Sequence, residues 1–410
     1  MHVRLRVGNT KNGYLWPSLD FGSSQIVSAE DQIFLLGQTG LTLDAKGFVG
    51  ENDIQSQVNT AIQNVSILLE EIGSSFNDVC MIHIYTTDAK YFSTIYEVIG
   101  QVFNEISPAV SNLVVKLAEP YIDFEIDVWA VLPDEVEKNH QRNFMINSGR
   151  FIADEGTCAT SNIVKANNHI FLSGQSGISL DGKSFVGEND IESQVENAMK
   201  NTEELLTSVG SSFNDICKIT PYIRDLKTRH LVYPSIFKFL KNTLPVSTGI
   251  IVEDFPLPQM DFSIDIFANT LNDTYQKHER IFPSDPNFIS DPNYKLSKIV
   301  VAGKFIFLQG QTGLKLDGSG LEGIGDPVRQ AEVAMQNVIE LLNQVGSDVN
   351  DICKITPIVT DINHRELVYP VISKYLKGVN PTSTGLVVKS LASPEIDFEI
   401  DVFAVKSDRE

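Results

Sequence analysis

A long internal repeat constrains this chain more than any other feature of its sequence. The string Ile33–Asp44 (IFLLGQTGLTLD) returns as Ile170–Asp181 (IFLSGQSGISLD) and again as Ile306–Asp317 (IFLQGQTGLKLD). Its lead glycines, Gly37, Gly174 and Gly310, stand 137 and 136 residues apart. Asn77–Cys80 recurs at the same spacing as Asn214–Cys217 and Asn350–Cys353, and Asp123–Asp127 recurs as Asp261–Asp265 and Asp397–Asp401, 138 and 136 residues apart. A period this long is too large for a solenoid unit, so each copy is a domain. The length of 410 residues agrees, since domains average roughly 150 residues. The breaks are expected near residues 138 and 274. This gives repeats 1–138, 139–274 and 275–410, with 275–292 partly linker because it carries the turn-rich FPSDPNFISDP.

Within the first copy, Gln25–Ala29 and Gln32–Leu36 read as a strand hairpin, followed by a polar loop, Thr39–Asn52. Asp53 is a good helix N-cap, and Asp190 and Asp326 take its place in the other copies. Pro327 follows Asp326 at the first helical position, which proline tolerates. Ile54, Val58, Ala61, Ile62, Val65, Leu68, Leu69 and Ile72 recur at helical spacing up to Gly73. Gly210 and Gly346 end the matching helices. A strand is expected over Asp78–Thr86, a second helix over Tyr91–Phe103, and strands over Val110–Leu117 and Ile122–Val131. The order β-β-α-β-α-β-β describes an α+β layer, one sheet with two helices on one face. In the last strand Ile122, Phe124, Ile126 and Val128 alternate with Asp123, Glu125, Asp127 and Trp129. The apolar row covers the helices, and the acidic row is expected to line the centre of the molecule or the clefts between repeats.

The net charge of −21 repels phosphate backbones and argues against nucleic acid as a partner. No apolar run has the length of a membrane span, and the opening MHVRLRVGNTKNGY is too polar for a signal peptide. None of the four cysteines forms a CxxC pair, and Cys80, Cys217 and Cys353 share one place in an apolar strand, where small-residue packing is expected. Together these features read as a cytoplasmic chain. The histidines lack HxxxH or HExxH spacing, so no metal site is indicated, and EGIGDP (Glu322–Pro327) lacks a phosphate-loop lysine and reads as a turn.

The hairpin ending in GQ(T/S)G, the NDICKIT strand, and Pro381-Thr382-Ser383-Thr384-Gly385 with Glu399-Ile400-Asp401 resemble the Rid (YjgF-type) family of enamine/imine deaminases. The resemblance implies a chorismate-mutase-like fold and a trimer with a site in each cleft between subunits. Three linked copies would then form an intramolecular pseudo-trimer, with further self-association left open. It also implies cofactor-free hydrolysis of enamines or imines to a ketone and ammonia. The arginine that family deaminases carry on the penultimate strand, whose planar fork holds a carboxylate, is Val110, Ser247 and Ser383 here. The family's first-strand tyrosine is Ser23, Thr160 and Leu296, and its second-helix asparagine is Tyr96, Tyr233 and Tyr369. Its last-strand glutamate is kept as Glu125 and Glu399 but is Ser263 in the middle copy. The chain thus resembles a divergent branch that lacks the arginine.

Imine hydrolysis needs a protonated nitrogen, a positioned water and a base for the water's proton. A carboxylate tuned by desolvation can be that base, which makes Glu125 and Glu399 the catalytic candidates and leaves at most two competent sites. Substrate-binding candidates are the phenols of Tyr96, Tyr233 and Tyr369 and the hydroxyls of Ser111, Thr248, Thr384, Ser247 and Ser383. Arg229 and Arg365, which open the second helix where the first copy has Phe92, could replace the missing anion clamp. The backbone N–H groups of the GQ(T/S)G loops could also face a substrate. The first reading is a hydrolase acting on a C–N bond of a small polar molecule. The second is a non-catalytic ligand-binding or regulatory protein on the same scaffold. A third, ring-opening amide hydrolysis, needs a Ser/Lys pair in each unit, and none recurs at the repeat period.

Overall fold

The computed structural model describes residues 2–9, 20–134, 139–147, 158–271, 277–282 and 295–408. Beyond Phe282, the FPSDPNFISDP connector lies outside the described residues. Each repeat is an α+β layer, and the three pack as an intramolecular pseudo-trimer with the sheets inside and the helices outside.

In the first repeat the hairpin Ile26–Ala29 and Gln32–Leu35 joins the last strand, Phe124–Val131, which pairs in turn with Val79–Thr86 and then Ala109–Val114. The helices Ile54–Glu71 and Phe92–Phe103 cover one face. The Asp53 carboxylate accepts from Ser56 N–H, and Asp190 and Asp326 do the same for their helices, as the cap positions require. Gly73, Gly210 and Gly346 take φ of +77°, +71° and +69°, the left-handed conformation that stops a helix. Each long helix is fastened to its last strand by one buried glutamine. Gln57 donates to the Gly50 and Tyr121 carbonyls and accepts from the N–H groups of Asp123 and Phe124. Gln330 repeats all four bonds, and Gln194 repeats three of them, with Gly187, Gln259 and Asp261.

Alternation along the last strand sorts its two faces as expected. Phe124, Ile126 and Val128 pack under the helices. On the inner face, Trp129 meets Phe267 and Phe403 at ring-centroid distances of 5.0 and 4.5 Å. Cys80, Cys217 and Cys353 join this inter-repeat apolar cluster, and burial pushes each thiol up to about 12. A second shared cluster, with Tyr85, Tyr222 and Ile358, holds together another part of the interior.

Each repeat also opens with a strand that the sequence reading did not contain: Val3–Leu5, Gln141–Asn147 and Glu279–Ile281. Each adds antiparallel to the hairpin of its own repeat and carries an arginine that reaches into a neighbour. Arg142 donates to the carbonyls of Asn77, Val79 and Ser107 in the first repeat. Arg280 donates to those of Asn214, Ile216 and Leu244 in the second. Arg4 donates to those of Asn350, Ile352 and Asn380 in the third, which closes the ring. Ser24, Ser161 and Ser297 run parallel to this clasp, each bonding a carbonyl of the same neighbour through its hydroxyl.

Hydrogen bonds from a charged donor contribute about 1.5–3 kcal/mol each when their acceptors are partly buried. Arg4→Ala should therefore lower the denaturant midpoint of the whole chain by the equivalent of about 2 kcal/mol or more. The surface change Lys90→Ala should leave it nearly unmoved. Equal midpoints for the two variants would show that Arg4 does not hold the ring closed.

Candidate functional site

Three clefts lie between neighbouring repeats, and two of them are built alike. In one, Glu125 of the first repeat meets the third. In the other, Glu399 of the third repeat meets the second. The Gly37 N–H donates to the Ser383 carbonyl across the first cleft, and the Gly310 N–H to the Ser247 carbonyl across the second. These loop N–H groups are thus spent on the neighbouring repeat. Each glutamate lies directly over its glycine, where any Cβ would overlap the carboxyl oxygen. Glycine at positions 37 and 310 is therefore what lets the acid fold against the backbone.

Opposite each glutamate stand the second-helix residues of the neighbour. The Tyr233 and Ser247 hydroxyls are 3.1 Å apart, and those of Tyr369 and Ser383 are 3.5 Å apart. The Arg229 guanidinium sits over the Tyr233 ring at 4.4 Å, and that of Arg365 over Tyr369 at 5.2 Å. Strand pairing lapses at Thr248-Gly249 and Thr384-Gly385, splitting the penultimate strand into Val246–Ser247 and Ile250–Ile251, or Thr382–Ser383 and Leu386–Val387. The glycine in each gap leaves room for the tyrosine hydroxyl. At Gly385 it also admits Arg365, whose Nη1 and Nη2 lie 2.6 and 2.9 Å from where a Cβ would be. The helix thus brings a guanidinium to within two residues of Ser383, the place where the family's strand arginine would stand. Arg229 and Tyr233, with Ala392–Pro394 of the third repeat, line a groove of about 330 Å³.

Two lysines that the sequence reading passed over hold these clefts. Lys354 Nζ donates to Asp127 Oδ1 (2.8 Å), to the Leu35 carbonyl (2.9 Å) and to Thr384 Oγ1 (3.1 Å). Lys218 Nζ makes the same set with Asp401 (2.7 Å), the Leu308 carbonyl and Thr248 (both 3.0 Å). Three acceptors match the three protons of an ammonium. Each threonine hydroxyl thus accepts from its lysine. The only direct signal was a lysine in the otherwise apolar strand of NDICKIT.

The electrostatics follow from burial. Desolvation raises the Glu125 carboxyl to about 7, against the opposing pull of Arg365, with Asp127 raising it further and Lys354 lowering it. Desolvation raises Glu399 to about 8, helped by Asp401 and opposed by Lys218 and Arg229. Each glutamate thus faces one arginine and one lysine–aspartate pair.

The third cleft, between the first and second repeats, departs from this plan. Ser263 stands where the glutamate would be, Phe92 where the arginine would be, and Asn112 where the glycine would be. Without that glycine the strand Ala109–Val114 runs unbroken. Tyr96 is buried beside Asn112, and Ser111 faces Ser263. Met81 occupies the lysine position, and His83, two residues on, takes over the partner aspartate, with Nε2 3.1 Å from Asp265 Oδ2.

The model of the family described as Endoribonuclease L-PSP matches this chain three times, over residues 21–132, 157–270 and 289–406. The chain belongs to this family. A RutC family protein of Pyrococcus abyssi is 34% identical over 86 residues, 21% of this chain and 67% of its own. Protein DfrA of Myxococcus xanthus is 34% identical over 27% of this chain and 84% of its own. The chloroplastic Reactive Intermediate Deaminase A of Arabidopsis thaliana is 36% identical over 19% of this chain and 42% of its own. A solved chorismatase structure covers 80% of this chain and 93% of its own, with a TM-score of 0.51 and 14% identity. That likeness concerns the fold alone, and its coverage spans far more than one repeat. Among the described residues, no helix is long and apolar enough to cross a membrane.

A carboxyl with a raised pKa stabilises the fold while protonated, and that contribution is lost as pH rises through its folded value. For Glu125, raised from 4.5 to about 7, the loss is roughly 3 kcal/mol. Glutamine cannot ionise. The Glu125→Gln/Glu399→Gln variant should therefore melt above the parent at pH 9, with the difference vanishing toward pH 5. Equal melting temperatures at pH 9 would show that both carboxyls ionise without cost.

Proposed function

We propose that the chain is a hydrolase acting on a C–N bond of a small polar molecule, an enamine or imine, in the Glu125 and Glu399 clefts. The observation that carries this reading is the meeting, twice, of a buried high-pKa carboxyl with an arginine and a tyrosine from the next repeat. Family membership supports it, as does the deaminase name of the Arabidopsis relative.

The chemistry can be assigned to these side chains. An imine arrives protonated on nitrogen, with its carboxylate or other anionic group on Arg365 or Arg229. The ionised glutamate takes a proton from a water, whose oxygen bonds to the imine carbon. The carboxyl returns that proton to the carbinolamine nitrogen, the C–N bond breaks as the hydroxyl's proton passes to the carboxylate, and the ketone and ammonia leave, the ammonia taking that last proton as ammonium. The Tyr369 and Tyr233 hydroxyls, each beside a serine hydroxyl, would orient the substrate's polar edge. A base with a pKa of about 7 or 8 suits proton transfer near neutrality better than an ordinary carboxylate.

The test is ammonia release from a panel of enamines and imines. Single Glu125→Gln and Glu399→Gln changes should each remove one cleft's share, and the double change should cost about 100-fold or more. The parent rate should rise with pH through 7 to 8, as the carboxyls ionise. Arg365→Gln and Arg229→Gln should raise KM for anionic substrates more than for neutral ones. Unchanged turnover in the double glutamine variant would remove this mechanism. A parent that binds these compounds without turnover would favour the ligand-binding reading.

A further inference from the structure

The three hairpin turns meet at one end of the ring, around a cavity of about 310 Å³ lined from all three repeats. It lies apart from the clefts. Asn269, on its wall, ends the strand Phe262–Asn269, six residues and about 20 Å along from Ser263. The turns are unequal. Equivalent positions carry Asp31, Asn168 and Lys304, and next to them Gln32, His169 and Phe305. The Gln32 and Asn269 amide nitrogens both donate to His169 Nδ1, at 2.8 and 3.1 Å. Nδ1 is therefore an acceptor and Nε2 donates to Asp31 Oδ1 at 3.0 Å, the pattern of an uncharged imidazole. Asp31 Oδ2 takes the Asn167 amide at 2.7 Å. Burial opposes ionisation of Asp31, but the bonds from His169 and Asn167 hold its carboxyl below the usual value. Lys304 spends its charge on Glu30 and Asp408, at 2.9 and 2.8 Å. Asp31, whose side chain is 29% exposed, thus borders the cavity with its charge met only by neutral donors among the described residues. Asn269 is 4% exposed, its Nδ2 is spent on His169, and its Oδ1 accepts from nothing among the described residues. Buried acceptors are nearly always paired, so an open one on a cavity wall needs an explanation.

We propose that this axial cavity binds a small primary ammonium ion, whose N–H groups reach Asp31 and Asn269 Oδ1 while its hydrocarbon lies along Phe305 and Leu271. An ammonium has three donors and no acceptor, which matches walls that offer open acceptors and unbalanced negative charge. A ligand carboxylate would be repelled by Asp31 and Glu30, and an alcohol would leave the charge unmet. Three identical turns would set three like groups around the axis. Three different ones set a carboxylate, an imidazole and a phenyl ring around one space. The site goes beyond the hydrolase reading and does not depend on it.

The test uses the full chain with isotope-labelled histidines near neutral pH. The His169 imidazole signals are assigned by their loss in His169→Gln, a change to the residue that the first repeat already carries there. Butylammonium, butyrate and butanol are titrated in parallel. Butylammonium should move the His169 signals in the parent and equally in Glu125→Gln/Glu399→Gln, which separates this site from the glutamate clefts. Asp31→Asn should weaken that binding by about tenfold or more. Glu30→Gln, at an exposed turn on which the core does not rest, should also weaken it, because it leaves Lys304 less neutralised. An equal or larger response to butyrate or butanol would overturn the assignment. So would loss of the butylammonium response in the double glutamine variant, or no response up to about 100 mM, the weak end for a ligand of five heavy atoms. Undiminished binding in both Asp31→Asn and Glu30→Gln would overturn it as well.

Discussion

Charge pairs shared between repeats are the constraint on which the rest of this molecule depends. Lys354 and Lys218 are 1% and 0% exposed, and each finds its aspartate only in the next repeat. An ammonium buried without its counter-ion is far more costly than any packing gain it brings. A repeat standing alone would lose both the burial and the cross-repeat partner of Lys218, Lys354, Asp127 and Asp401. Closure of the ring turns those liabilities into a saturated network. The same closure buries Glu125 and Glu399 and so raises their pKa values.

Much of the fold could be read because the signals were local. The helix caps Asp53, Asp190 and Asp326 and the stops Gly73, Gly210 and Gly346 act within one turn of where they stand. The alternation of Phe124, Ile126 and Val128 with Glu125, Asp127 and Trp129 places both faces of the last strand without reference to any other segment. Glu125, Tyr369, Ser383 and Arg365 could be named one at a time from the repeat and the family resemblance. Their assembly in one cleft could not be read from any local pattern.

What escaped was carried by long-range partners. Lys218 and Asp401 are 183 residues apart, and Lys354 and Asp127 are 227 apart. Neither lysine declares its role in its own strand. The opening strands were missed because three to seven residues around His-x-Arg make too short a run to show a period. Their arginines reach carbonyls, which no sequence pattern marks. In two of the three GQ(T/S)G loops the lead glycine, Gly37 or Gly310, makes room for a carboxyl and its N–H donates to the neighbouring repeat, a role that no local pattern marks.

The covalent link between repeats changes what a substitution can do. In a ring of identical subunits every altered side chain appears in all the interfaces at once, and a harmful trade in one is a harmful trade in each. Here Phe92, Arg229 and Arg365 occupy one structural position yet vary separately. A single polypeptide can therefore hold two acidic, arginine-bearing crevices while a third drifts toward different chemistry, a division of labour closed to a symmetric assembly.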